Sequence, residues 1–165
     1  MIRELSFTEL DSILNVINNA AQAYRGVIPE DRWKEPYMET TELKEEVESG
    51  VQFYGWTENK ALVGVMGIQL LKDITLIRHA YVIANKQRRG IGEKLLNHLI
   101  SLAKTPEILV GTWKAAQWAI CFYQKHGFTL LTRKEGHKLL KKYWKIPQRQ
   151  IETSIVLSLK KESLI

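Results

Sequence analysis

Cysteine, proline and long apolar runs are scarce in this 165-residue chain, which has one Cys and four Pro. The lone Cys121 excludes an intramolecular disulfide framework. It also shares no zinc-site spacing with the histidines, so no metal is expected. No stretch approaches the roughly 20 apolar residues that cross a bilayer, and Met1-Ile2-Arg3-Glu4-Leu5 contains no apolar signal core. The expectation is a cytoplasmic protein with no membrane partner. Polar linkers, internal repeats and low-complexity tracts are also absent, so residues 1–165 read as one domain. What is present is 45% hydrophobic residues, sufficient for a core at this length, and a formal charge of +6.

The charge is uneven. Residues 133–149 carry seven basic side chains and one acid, whereas residues 29–48 carry eight acids and three bases. The acidic stretch predicts a cationic amine as a ligand, and the opposite patches permit a symmetric homodimer. Tyr143-Trp144 inside the basic stretch supports an alternative reading, a nucleic-acid-binding module in which Lys and Arg track phosphates and aromatics stack bases. No zinc, RNP-type or recognition-helix signature accompanies it, which argues against nucleic acid.

Periodicity predicts the order β, α, α, three β, α, β, α, β, a basic stretch and a last β. Leu10, Ile13, Leu14, Ile17 and Ala21 mark the first helix, and Thr40 or Thr41 is placed to cap a second that stops at Gly50. Val51–Thr57, Ala61–Leu71 and Ile74–Ile83 form an antiparallel meander whose first turn is Glu58-Asn59-Lys60. Helices follow at 90–104 and 115–126, with strands at 108–112, 128–132 and 151–159. The fold class is therefore α/β in content, more strictly α+β, with a mixed, mostly antiparallel central sheet flanked by helices.

One junction carries chemistry. Gln87-Arg88-Arg89-Gly90-Ile91-Gly92 joins the third meander strand to a helix, and glycines there let several amides point into one concavity at a positive helix end. Lys86, Arg88, Arg89 and Lys94 against Glu93 leave a local +3, suited to a ligand with several phosphates. The hydroxyl and spacing of a Walker A loop are missing, and Leu95 stands where a dinucleotide fingerprint requires its third glycine. Cys121 sits in the apolar run Ala119–Phe122 without a paired His and reads as a core residue.

Gln87-x-x-Gly90-x-Gly92 resembles the acyl-CoA pyrophosphate loop of the GNAT superfamily of N-acetyltransferases. Ala119-x-x-Phe122-Tyr123-x-x-x-Gly127-Phe128 resembles that superfamily's A-x-x-F-Y-x-x-x-G-F segment. The resemblance runs from Ile2 to about Leu159 and implies a GNAT-like acyl-CoA N-acyltransferase fold. It further implies acetyl-CoA as cosubstrate and a small-molecule amine or peptide N-terminus as acceptor. Ala80, Tyr81 and Val82 would pair with pantetheine. Gln87, Arg88, Arg89, Gly90, Ile91, Gly92 and Glu93 would hold the pyrophosphate. Tyr123 would protonate the leaving thiolate. His79 is a candidate base, with the acceptor expected near Tyr24, Glu30, Trp33 and Glu152. One departure is Ala116, where many members have an Asn that contacts the pantetheine arm.

Overall fold

The computed structural model describes residues 1–161. Seven strands form one sheet in the order β1-β2-β3-β4-β5-β7-β6. These are β1 (Ile2–Glu4), β2 (Gln52–Glu58), β3 (Ala61–Leu70), β4 (Thr75–Val82), β5 (Glu107–Trp113), β6 (Thr129–Leu130) and β7 (Ser154–Lys160). Every pairing is antiparallel except β4 with β5. The β2–β3 hairpin turns at Asn59 and Lys60, both at positive φ (49° and 68°), the hand that matches strand twist in a two-residue turn.

Alternation along the strands sends side chains to two helical layers. On β5, Ile108 and Val110 join Leu95, Leu96 and Leu99 of α3 (Ile91–Leu102) and Ile120 of α4 (Gln117–Lys125). Leu109 faces the other way, with Leu76 and Val156, beneath Leu140 of α5 (Arg133–Tyr143). Phe53 and Val65, on the opposite face from the α3 layer, pack against Ile13 and Ile17 of α1 (Leu10–Ala20) and Leu43 of α2 (Thr40–Glu48). Each such buried Leu or Ile contributes about 1.5–3 kcal/mol of burial free energy, so the two faces hold the sheet rigid beneath the site.

Two differences from the expected elements matter. The basic stretch is a helix, α5, followed by the short α6 (Gln148–Glu152), so β7 begins at Ser154 and Ile151 belongs to α6. Thr132 caps α5: its hydroxyl oxygen accepts from the Glu135 amide at 3.2 Å and donates to the Glu135 carboxylate at 2.9 Å. Gly136 lies against Val156, Leu140 is buried, and the charged residues face outward. At the other end, Glu39 rather than a threonine occupies the N-cap of α2 and makes no side-chain cap.

Candidate active site

The site starts where β4 and β5 part. Only Thr75, Leu76 and Ile77 of β4 pair with β5, and beyond them β5 turns its hydrogen bonds to β7 alone. The β5-facing edge of Ala80, Tyr81 and Val82 is left with no strand partner, an opening that an extended amide-bearing chain fits by strand addition. A bulge sets this up. Gly67 pairs with Arg78 and Val65 with Tyr81, so His79 and Ala80 together face the single Met66. His79 absorbs the kink at φ 56°, in the left-handed region where His is tolerated better than most residues.

The free edge runs into the glycine loop. Gly90 is the N-cap of α3 at φ 81°, with no side-chain cap, and the first intrahelical bond is from Lys94 to Gly90. The amides of Ile91, Gly92 and Glu93 are thus the open donors of a 12-residue helix, and a Cβ built on Gly90 would meet nothing within 4 Å. The Glu93 carboxylate lies 3.7 Å from His126, which ties it to α4. Gln87 anchors the loop itself, its side-chain amide donating to the Val82 carbonyl at 3.0 Å. The expected local +3 is smaller in space, because Glu58 from the β2–β3 hairpin lies 3.4 Å from Lys86 and 3.6 Å from Arg89. Lys94 lies over the Trp56 ring. The open edge, capless helix end and empty space over Gly90 leave room for an extended ligand that ends in a phosphate group.

On the α1, α2 and α5 side of the opening lies a cleft of about 110 Å³. Tyr24, Tyr37, Tyr81, Trp113 and Trp144 contribute its aromatic surface, and Arg78 and His79 reach it from the bulge. Tyr24 packs at 5.3 Å from Tyr37 and 6.2 Å from Tyr81, ring centre to ring centre, and the Trp113 indole donates to the Tyr37 hydroxyl at 2.7 Å. Burial pushes the phenols of Tyr24, Tyr37 and Tyr81 above their usual value, so they remain neutral donors and acceptors. Glu46 of α2 approaches His79 Nε2 at 3.0 Å and Arg78 at 3.0 Å. Burial alone would raise the Glu46 carboxyl, but the His79 hydrogen bond and the two basic neighbours outweigh it and hold it below the carboxylate range.

The structure brings Tyr24, His79 and Tyr81 together in this cleft and places Trp33 behind it, stacked on Tyr37 at 6.0 Å. Glu30 and Glu152 are exposed and do not line it. Tyr123 is buried on α4 against Phe128, its phenol raised by burial and further by Tyr24. Cys121, expected in the core, is exposed on α4, because the inward face of that helix is taken by Ile120 and Tyr123. Ala116 is fully buried among Ala21, Tyr24 and Trp113, where an Asn side chain would have to displace apolar contacts. Glu46, Arg78 and Trp113 join the cleft without any signal in the sequence that marks them. They are far apart in sequence, and none sits in a motif. Tyr143 donates to Asp73 at 2.9 Å, and Trp144 lies over Gly111. No group of three or more candidate metal ligands occurs among the described residues, and no described helix is long and apolar enough to cross a membrane.

Comparison with known proteins agrees with the fold. Residues 17–141 match the family model described as an acetyltransferase (GNAT) domain. The PaiA N-acetyltransferase of Thermoplasma acidophilum, solved in complex with coenzyme A, superposes with a TM-score of 0.74 at 18% identity, covering 98% of each chain. A GNAT-family acetyltransferase of Staphylococcus aureus gives 0.74 at 19% identity over 97% of this chain and 98% of that one. A GNAT-family acetyltransferase of Elizabethkingia anophelis with acetyl-CoA bound gives 0.63 at 20% identity, over 98% of this chain and 97% of that one. No curated protein matches the sequence. With a glycine loop, a split sheet of matching topology and a family match over most of its length, the chain belongs to the GNAT acetyltransferase family.

Proposed function

We propose that this acetyltransferase moves the acetyl group of acetyl-CoA onto a primary amine bound in the aromatic cleft. The observation that carries the reading is continuity: the unpaired edge at Ala80–Val82 leads at one end to the open amides of α3 and at its side to the cleft. Acetyl-CoA supplies an activated thioester. The amides of Arg88–Glu93 bind its pyrophosphate, and a backbone N–H of the Ala80–Val82 edge polarises the thioester carbonyl.

An amine arriving as ammonium has no lone pair, so His79 removes a proton. Glu46 orients it: with Nε2–H donated to Glu46, the other ring nitrogen carries the free pair. Nitrogen then bonds to the acetyl carbon, the C–S bond breaks, and Tyr123 gives its proton to the departing thiolate. Burial keeps that phenol protonated until the thiolate forms; the second proton shed by the nitrogen returns through water to the phenolate, and the proton on His79 leaves to solvent.

Calorimetry with acetyl-CoA and free-thiol release over an amine panel test this reading. Micromolar to millimolar binding and amine-dependent thiol release are expected, and no acetyl-CoA binding at millimolar concentration overturns it. Tyr123→Phe should slow turnover by about tenfold or more with nearly unchanged acetyl-CoA affinity; an unaltered rate removes Tyr123 as the acid.

A further inference from the structure

The acidic stretch at residues 29–48 points to a cationic acceptor, yet none of its carboxylates lines the cleft. Glu35, Glu39, Glu45 and Glu48 are exposed, and Asp31 is engaged by Arg149 at 2.9 Å. The cleft lining contains two bases, Arg78 and His79, and no Asp or Glu. Glu46 approaches from behind and is shared between both bases. A polyamine would therefore bring a second ammonium against a guanidinium with no lining carboxylate to receive it.

Arg78 is well placed to receive an anion. Its Nη1 contacts Glu46 at 3.0 Å and Gln69 at 3.4 Å, and its Nη2 contacts Glu46 at 3.4 Å. Of the five guanidinium N–H donors, the Nε–H and one Nη2–H have no partner among the described residues. Its side chain is only 11% exposed, so the cation sits largely out of water with a carboxylate that it shares with His79. Burial lowers its affinity for its proton, and Glu46 restores part of it. The cleft is also small. At about 110 Å³ it lies below the roughly 150 Å³ that admits benzene, so it suits a compact molecule or one with its longer part outside.

We infer that the acceptor is a small primary amine that also carries a carboxylate, an amino-acid-like molecule whose carboxylate is held by Arg78 while its amine lies among the Tyr24, Tyr37 and Tyr81 rings beside His79. The aromatic faces attract the ammonium before it is deprotonated, and the guanidinium fork fixes the opposite end. This inference rests on the acetyltransferase reading above.

The test uses matched amines differing only in the carboxylate: phenylalanine against phenethylamine, leucine against isopentylamine, and lysine against cadaverine, with spermidine added. Thiol release from acetyl-CoA is followed for the wild-type protein and for Arg78→Met. The carboxylate member of at least one pair should show a kcat/KM about tenfold or more above its partner and above spermidine, a typical gain for a charge-assisted bond. Arg78→Met should bring the ratio near one. Equal or better turnover of the carboxylate-free amines overturns the inference, and so does a ratio that survives in a folded Arg78→Met. Wild-type protein that binds acetyl-CoA in the calorimeter but acetylates none of the panel overturns it too, leaving the acetyltransferase reading in place. Absence of acetyl-CoA binding defeats that reading itself. Should Arg78→Met not fold, the wild-type ratios alone decide.

Discussion

The two halves of the site are built in different ways. The cofactor half is made of backbone: an open strand edge at Ala80–Val82 and the amides of one helix end, supplied by a nearly continuous stretch of chain. The acceptor half is made of side chains gathered from the α1–α2 connection, α2, β4, β5 and the α5–β7 region. Backbone donors are the same whatever the residue, so the first half constrains conformation. The second constrains side-chain chemistry, and it is where specificity resides.

The largest predicted effect falls where the halves meet. His79→Asn keeps a residue that tolerates φ 56° while removing the imidazole, so the bulge and the free edge of β4 should survive. At neutral pH kcat/KM should drop on the order of 100-fold, the scale of lost general-base catalysis, with acetyl-CoA affinity unchanged. The pH profile separates this from a structural role. The wild-type profile should show an acid limb, and Glu46 is not its source, because its carboxyl is held below the ordinary carboxylate range. In His79→Asn that acid limb should disappear. A retained limb would move the base elsewhere and detach this residue from the acceptor half.

Gly90→Val probes the backbone half alone. The space over Gly90 is open, so the variant meets no clash, but a β-branched residue at φ 81° costs about 1–3 kcal/mol of backbone strain. The loop should relax away from the conformation that aims the α3 amides, and acetyl-CoA affinity measured by calorimetry should weaken about tenfold or more. The aromatic cleft and its tyrosine environment should stay as they are in near-ultraviolet spectra. Unchanged affinity would mean that side chains rather than amides hold the phosphates.

This division also accounts for what could be read from residues alone. Gln87-x-x-Gly90-x-Gly92 is short and contiguous, and glycine at a helix start has a geometric consequence that one sequence displays. The meander and α3 were legible for the same reason, since period-two and helical patterns are local. The role of Glu58 was not, because it reaches Lys86 and Arg89 only through a hairpin's return. Helix α5 carried its own signal in Thr132-x-x-Glu135 and in the apolar Leu139, Leu140, Tyr143 and Trp144, but seven basic residues made the stretch look solvated. The acidic balance of residues 29–48 carried no geometry of its own. Charge counted along the chain does not say which way a carboxylate points, and of these acids Glu46 is the one that pairs with Arg78 and His79.

The smallest predicted effect concerns the tie between the walls of the acceptor half. Arg149 of α6 holds Asp31 through two contacts, at 2.9 and 3.2 Å, and its neighbour Gln150 lines the cleft. Both side chains are about half exposed, so salt and water screen the pair and its contribution to folding is small. Arg149→Ala should therefore leave the melting temperature nearly unchanged. What the pair does is hold the α1–α2 connection against α6, so its loss should raise the acceptor KM by roughly threefold or less. High salt should produce the same rise in the wild-type protein and no further rise in the variant. The KM for acetyl-CoA should not move in either case, because the strand edge and α3 share no contact with this pair among the described residues. A change in the acetyl-CoA KM of equal size would show that the two halves are mechanically one, and that residues chosen for the acceptor also tune the cofactor.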